Sequence, residues 1–416
     1  MKNPLTGLMN TNGQPLSLKD YQSAHGYEGL NNAIKMEPGE VISLIKEAGL
    51  LGRGGAGFST GIKMSAVPPV IDEHDVHYLV VNADEMEPGT FKDRWLLEGN
   101  PHQLIEGVMI AAHAIGAKVA YIFLRGEYKT AEKYLEHALH EAHKANLFYN
   151  LDIFIHMSAG RYICGEETAL LNALEGRRAT PRAKPPFPQV SGLWGKPTLV
   201  QNVETVSNLP HILRKGAAWF KTLGKAIDAG TKIYGVSGKV NYPGAFELPM
   251  GTLGREILEN CAGGMRAGLK LRAFLPGGAS TDFLTEEYLD VPMDYSSMAQ
   301  KRTRMGTGTM IILDDHTCPV GMLLNLEKFF KQESCGFCTP CREGLSFVYE
   351  TLSAIERGEG QESDIGILEN HARLLGPGST FCALAPGASA PLGSGLKLFR
   401  KDFLEHIAQK RCPYGN

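Results

Sequence analysis

The sequence lacks an excess of charge of either sign. Lys+Arg number 42 and Asp+Glu 45, for a formal net charge of -3 over 416 residues. A nucleic-acid binder presents a basic excess, so no nucleic-acid partner is expected. The opening residues, MKNPLTGLMNTNGQ, lack an apolar core segment, so no signal peptide is expected. Long hydrophobic runs are also lacking. The best candidate, Gly107–Leu124, contains His113, Gly116 and Lys118 and reads as a buried helix followed by a strand, so direct membrane insertion is not expected. There is no internal repeat and no long low-complexity tract. Apolar residues make up 43% and charged residues 21%, which excludes a disordered chain. The length suggests roughly three domains.

What is abundant is glycine. There are 48, where ordinary usage of about 7% gives roughly 29. The excess is not periodic, so collagen is excluded; tight turns or close approach of backbone to a ligand are expected. Eight cysteines stand at 164, 261, 318, 335, 338, 341, 382 and 412. Three fall within seven residues, which reads as a metal or cluster site in a reducing compartment rather than a disulfide framework.

Hydrophobic spacing predicts helices over 40–49, 102–115, 128–145 and 166–174. Strands are predicted over His77–Val81, Lys118–Leu124 and Leu151–His156. That alternation argues for a mostly parallel, doubly wound α/β sheet covered on both faces. Residues 179–188, ATPRAKPPFP, form no regular element. Short β runs over about 230–300 suggest a small α+β domain. Segments 320–333, 342–357, 363–375 and 394–411 read as four helices of a bundle.

Four motifs carry chemistry. Gly52-Arg53-Gly54-Gly55-Ala56-Gly57-Phe58 matches G-x-G-x-x-G, but a helix precedes it where a dinucleotide fold needs a strand. The bland reading is a flexible turn; the functional one is a run of exposed N–H groups suited to a phosphate or a flat ring, with Lys63 nearby. Asn82-Ala83-Asp84-Glu85-Met86-Glu87 follows a strand, where α/β sheets bind ligands. It reads either as a solvated acidic loop or as a set of acceptors for a sugar chain and a nicotinamide amide. Tyr162-Ile163-Cys164-Gly165-Glu166-Glu167 opens a helix, and its acids also suit the helix dipole. Lys184-Pro185-Pro186-Phe187 could hold a cation and a ring in fixed positions. Cys335-x2-Cys338-x2-Cys341 is the strongest motif. Its spacing wraps one face of a [4Fe–4S] cubane, with Cys382, Cys318 or Cys412 as fourth ligand. Zinc competes, but its usual pattern is two separated C-x-x-C pairs. Cys164 and Cys261 read as buried apolar thiols.

Taken together, GRGGAGF, NADEMEPGTFKDR, YICGEETALL, KPPFP, NVET and ESCGFCTPCREG resemble, in order, the NADH-binding flavoprotein subunit of respiratory complex I. The resemblance covers nearly the whole chain. It implies a non-classical, Rossmann-like FMN/NADH domain over 1–228, a small β-grasp domain over 229–318, and a C-terminal four-helix bundle over 319–416 carrying the cluster. By matching motif, Gly52, Gly54, Gly55, Gly57, Lys63, Asn82, Asp84, Tyr162, Gly165, Glu166 and Asn202 are expected around FMN. Phe58, Glu87, Glu167, Lys184 and Phe187 are expected to face NADH, with the aromatics on adenine and Glu87 at the nicotinamide end. Glu87 and Glu167 are the expected catalytic residues, with no proton-transfer role required of either. Cys335, Cys338, Cys341 and Cys382 are expected to ligate the cluster.

The implied activity is hydride transfer from NADH to FMN, then single-electron transfer to the cluster and onward to quinone. The implied partners are a thioredoxin-like [2Fe–2S] subunit and a further iron–sulfur subunit of a peripheral arm. The implied location is cytoplasmic, at the inner face of a membrane through those subunits. The same module serves as the diaphorase of soluble NAD-linked hydrogenases and formate dehydrogenases, which is the alternative within enzymes; a cluster-bearing assembly protein is the alternative outside them. Several positions depart from the family pattern. Ser59 stands where proline is common, Met64 and Ala66 where aromatics are common, and Gln201 where asparagine is. Phe337 replaces a basic residue inside the cysteine motif, which is expected to lower the cluster potential.

Overall fold

A computed structural model describes residues 3–10, 12–72 and 74–415. The first sheet has four strands: β1 (Tyr78–Ala83), β2 (Val119–Leu124), β3 (Asp152–Met157) and β4 (Thr198–Asn202). Their order is β3-β2-β1-β4 and every pairing is parallel. β4 has no counterpart among the expected strands, because five residues are too few to show a period. It is nevertheless the element that completes the site.

Both faces of the sheet are covered, as the alternation of strand and helix suggests. Val80, Phe123 and Val200 pack with Leu170, Leu171 and Leu174 of the helix Glu167–Leu174 and with Leu193. Leu79 and Val81 alternate to the opposite face, where the helix Pro101–Ile115 lies against β1 and β2. That helix stops at Gly116, whose φ of 67° is the left-handed cap a glycine adopts without strain. The helix Pro38–Ala48 stops at Gly49 in the same way, with φ 70°.

A second sheet is built from β5 (Thr231–Gly238), β6 (Gly244–Pro249), β7 (Leu271–Leu275) and β8 (Thr309–Asp314), in the order β6-β5-β8-β7. β5 and β8 run parallel, while β7 and β8 run antiparallel. The remainder is helical: Pro319–Glu333, Thr339–Glu356, Glu362–Leu374, Leu384–Leu398 and Arg400–Gln409. The expected segment 394–411 is therefore two helices, and the first begins ten residues earlier than its composition suggests. LAPGASAPLGSGLKL carries two prolines and three glycines, yet it folds as a helix because close packing replaces propensity. A Cβ on Gly387 would stand 3.1 Å from Ser280 Cβ, and one on Gly395 would stand 3.3 Å from Leu323.

The chain divides into two compact units. One comprises Met1–Met86, Phe91–Ile233 and Glu247–Thr252; the other comprises Glu87–Thr90, Tyr234–Phe246 and Leu253–Asn416. Among the described residues, no helix is long and apolar enough to cross a membrane.

Candidate flavin, nucleotide and cluster sites

In the first unit, β1 leads to β2 and β3 on one side, while β4 lies on its other side. The strand order reverses between β1 and β4, and open α/β sheets bind ligands at that reversal, beyond the carboxyl ends of the strands. Asn82 and Asn202 sit opposite each other at those ends. Both line a cavity of about 640 Å³, within the range of small-molecule sites.

The glycine loop forms one wall. Gly52 N–H donates to the Phe58 carbonyl at 2.8 Å and closes the loop. The buried Arg53 guanidinium anchors it, donating to the carbonyls of Ala229 at 2.8 Å and Thr231 at 3.2 Å. Gly54 and Asn202 approach so closely that a Cβ on Gly54 would stand 3.3 Å from Asn202 Cβ. Gly52, Gly54, Gly57 and Phe58 all line the cavity, while Gly55 lies within the loop with φ 121° and is not in the lining. Ser59, where proline is common, caps the next helix, its Oγ accepting from Ile62 N–H at 3.4 Å. Met64 is fully buried, and Ala66 lines the cavity.

The opposite wall carries charge. Glu167 receives Lys63 Nζ at 2.7 Å on one oxygen and Lys184 Nζ at 2.8 Å on the other. Burial would raise the Glu167 pKa, but the Lys63 and Lys184 ammoniums outweigh it and hold the carboxyl below its usual range. Lys184 also reaches Glu166 at 3.2 Å. Phe187 and Gly165 join the lining. The Lys184–Pro185 and Pro185–Pro186 bonds are cis. Gly165 O accepts from Asn82 Nδ2 at 3.0 Å.

Besides Gly55, three expected residues stand outside that lining within the same unit. Glu166 caps the helix Glu167–Leu174, its Oε2 accepting from the N–H groups of Thr168 at 3.0 Å and Ala169 at 2.9 Å. Asp84 is buried, with its N–H on Asn82 Oδ1 at 3.2 Å. Tyr162 lies on a short 3-10 turn, Tyr162–Gly165. Glu87 falls in the second unit, where its Oε1 accepts from Ser280 N–H at 2.6 Å.

The acidic loop is not the solvated loop its composition allows. Glu85 is buried and accepts from the N–H groups of Asp93 at 2.9 Å and Arg94 at 3.0 Å and from Tyr128 OH at 3.0 Å. Burial, reinforced by Asp93, pushes its pKa up to about 7. A buried ionic network adjoins it that the sequence does not mark. Lys92 bridges Asp93 at 2.6 Å and Glu204 at 3.0 Å, and Lys232 reaches Glu204 at 2.6 Å. Asn202 ties this network to the cavity, donating to Asp93 Oδ2 at 2.7 Å.

These residues fit a flavin and a nucleotide. Gln201 lines the cavity and is only 7% exposed, yet its Nε2 has no partner within the protein, and a buried donor of this kind is matched by a ligand acceptor. The closeness of Gly54 to Asn202 likewise leaves room for backbone, and for no side chain, at the cavity wall.

In the second unit, Cys338 caps the helix Thr339–Glu356 and Cys341 lies in its first turn. Burial, and after it the neighbouring Cys338, Cys382 and Cys335, push the Cys341 thiol up to about 11, so each of those three cysteines acts on Cys341. The rings of Phe337 and Phe381, each adjacent in sequence to one of these cysteines, stand 4.8 Å apart. Four thiols suit an iron–sulfur cluster. Cys318 and Cys412 belong to a different group of side chains, with Glu356 and His406. Cys164 is a buried apolar thiol, whereas Cys261 is only half-buried.

Family models match in three places. The Nuo51 FMN-binding domain matches residues 45–211, the SLBB domain 233–284, and the NADH-ubiquinone oxidoreductase-F iron-sulfur binding region 321–406. The F component of NADH-quinone oxidoreductase from Salmonella typhimurium is 53% identical over 99% of this chain and 94% of its own length. A second F component of the same enzyme, from Rhizobium meliloti, is 46% identical over 95% and 96%. A chain of an NAD+-reducing [NiFe]-hydrogenase, solved in the H2-reduced state, superimposes with a TM-score of 0.84 at 33% identity over 96% of this chain and 68% of that one.

Proposed function

The chain belongs to the family of NADH-quinone oxidoreductase F components, and from that premise we propose that it takes electrons from NADH and passes them, through FMN and a [4Fe–4S] cluster, toward quinone. The observation that carries the reading is a glycine-walled cavity at the strand-order reversal and a four-cysteine group in one polypeptide. Flavin chemistry supplies the exchange between a two-electron hydride donor and one-electron acceptors, and cluster chemistry supplies the single-electron relay.

The protein contributes binding, orientation and charge. Gly52, Gly54, Gly55 and Gly57 offer backbone to FMN. Lys63, Asn82, Asp84, Tyr162, Gly165, Glu166 and Asn202 complete its surroundings. Phe58 and Phe187 offer ring faces to adenine, Lys184 and Glu167 contact the nucleotide, and Glu87 takes the nicotinamide end. Glu167 would place a carboxylate beside the flavin and so tune its potential and the release of oxidised nucleotide. Cys335, Cys338, Cys341 and Cys382 hold the cluster. Residues 1–228 serve flavin and nucleotide, 229–318 form a β-grasp domain, and 319–416 form a helical bundle around the cluster. The partners are a thioredoxin-like [2Fe–2S] subunit and a further iron–sulfur subunit, which bring the chain to the cytoplasmic face of a membrane.

The test is the anaerobic absorption spectrum before and after NADH. Flavin bands and a broad iron–sulfur shoulder, both bleached by NADH, are expected. A shoulder without flavin, indifferent to NADH after FMN is supplied, would overturn the reading. Co-purification with a hydrogenase or formate dehydrogenase would move the same chemistry to the diaphorase assignment.

A further inference from the structure

Cys318, Glu356, His406 and Cys412 come from four separate places in the second unit, yet one donor atom of each lies within 4.8 Å of the others. Cys318 Sγ stands 3.3 Å from His406 Nε2 and 3.7 Å from Glu356 Oε2, and His406 Nε2 stands 3.2 Å from Glu356 Oε2. Cys412 is within hydrogen-bonding reach of Cys318, His406 and Glu356. A tetrahedral ion with bonds of about 2.0–2.3 Å has ligand–ligand edges of roughly 3.3–3.8 Å. The three edges among Cys318, His406 and Glu356, 3.2–3.7 Å, match that tetrahedron to within about 0.1 Å.

We propose that these four side chains form a closed structural Zn²⁺ site. Two sulfurs, one imidazole nitrogen and one carboxylate oxygen are zinc's ordinary donors, and four protein ligands leave no open position for substrate. The second layer is already in place. His406 Nδ1 lies 2.7 Å from the Asp402 carbonyl, which directs Nε2 at the group, the nitrogen that a metal would take in the neutral ring. Asp402 is itself gripped by both oxygens to Arg272 Nη2 at 2.6 Å. Gly321 N–H points at Cys318 Sγ from 3.2 Å at the start of the helix Pro319–Glu333, which favours a thiolate. Three of the four ligands are buried.

The site does not share the iron–sulfur ligands. Cys341 and Glu356 lie on one helix, fifteen residues and therefore about 22 Å apart along its axis. The role is mechanical: the ion ties the tail at Cys412 and the helix Arg400–Gln409 to the ends of two other helices. Gly358 shows how closely these parts meet, since a Cβ there would stand 2.0 Å from the Lys410 backbone. The inference does not depend on the proposed electron-transfer activity.

The experiment measures zinc and iron together, by mass spectrometry of the full chain purified anaerobically without chelators. Cys412→Ser and the milder Glu356→Gln are prepared in parallel. About one zinc per chain is expected in the parent, and at least about tenfold less in Cys412→Ser, with iron unchanged. Zinc-edge absorption of the parent should show two sulfur and two nitrogen or oxygen neighbours, a readout that survives if a variant fails to fold. A parent chain that holds no zinc and takes none up from added Zn²⁺, zinc content unchanged in both variants, or a Cys318–Cys412 disulfide seen as a loss of two hydrogens would overturn the site.

Discussion

Replacing Glu204 by glutamine tests the ionic network adjoining the cavity. The substitution preserves volume and removes one charge. Glu204 is fully buried, and its oxygens receive Lys232 Nζ at 2.6 Å, Lys92 Nζ at 3.0 Å and Ile233 N–H at 2.9 Å. In the variant, Lys92 keeps the Asp93 carboxylate, but Lys232 keeps only neutral acceptors, the glutamine amide oxygen and the Ile233 carbonyl at 2.8 Å. A buried ammonium without an anion costs about 3–5 kcal/mol. For a unit of this size each kcal/mol shifts the melting temperature by about 2–4 °C, so a fall of roughly 6–20 °C is expected. The pH dependence has a definite sign. Burial would raise the Glu204 pKa, but Lys232 and Lys92 hold it below its usual value. The stabilisation is therefore complete above the unfolded pKa of about 4.3 and fades as pH falls through the folded value. The gap between parent and variant should be full at pH 7 and narrow below about pH 4. Melts followed by circular dichroism, with flavin release followed by fluorescence, provide the assay. Because Lys92 and Asp93 hold Asn202, flavin release should move with the melt. A variant melting within about 2 °C of the parent at pH 7 would refute the argument.

Glu167→Gln removes the anion between Lys63 and Lys184, and a change equivalent to one or two pKa units should raise the flavin midpoint by about 30–60 mV and tighten NAD+. A redox titration and a binding isotherm that both match the parent would remove Glu167 from that role. Phe337→Lys restores a positive charge inside the cysteine motif and should raise the cluster potential, read by an electron-paramagnetic-resonance titration; no upward shift contradicts the expectation. Glu327 is fully buried and neither of its oxygens has a partner within the protein, so burial raises its pKa well above the usual value. A raised acid stabilises the fold below the unfolded pKa and loses that contribution as pH rises, so Glu327→Gln should melt higher than the parent at pH 8 and by a smaller margin at pH 5. Gly61→Ala places a Cβ 2.5 Å from Lys46 Cα, a clash with backbone that should lower the melting temperature and the flavin content together.

What the sequence makes legible is what it keeps local. β1, β2 and β3 show their period within six residues each, and the glycine loop, the Lys184–Phe187 turn and the C-x-x-C-x-x-C run each complete a recognisable pattern within a few positions. What is illegible is assembled from afar. Glu204, Lys92 and Lys232 stand more than a hundred positions apart at the extreme, and each alone is an ordinary charged residue whose default location is the surface. β4 is short, and its importance lies in pairing with β1 rather than in its own composition. The helix Leu384–Leu398 contradicts its own propensity, because glycines that weaken an isolated helix also permit the close approach that stabilises this one. The two cysteine groups make the same point about metals. One places three ligands within seven residues, where spacing alone suggests a cluster. The other draws single residues from positions 318, 356, 406 and 412, so only folding turns four ordinary residues into a donor set.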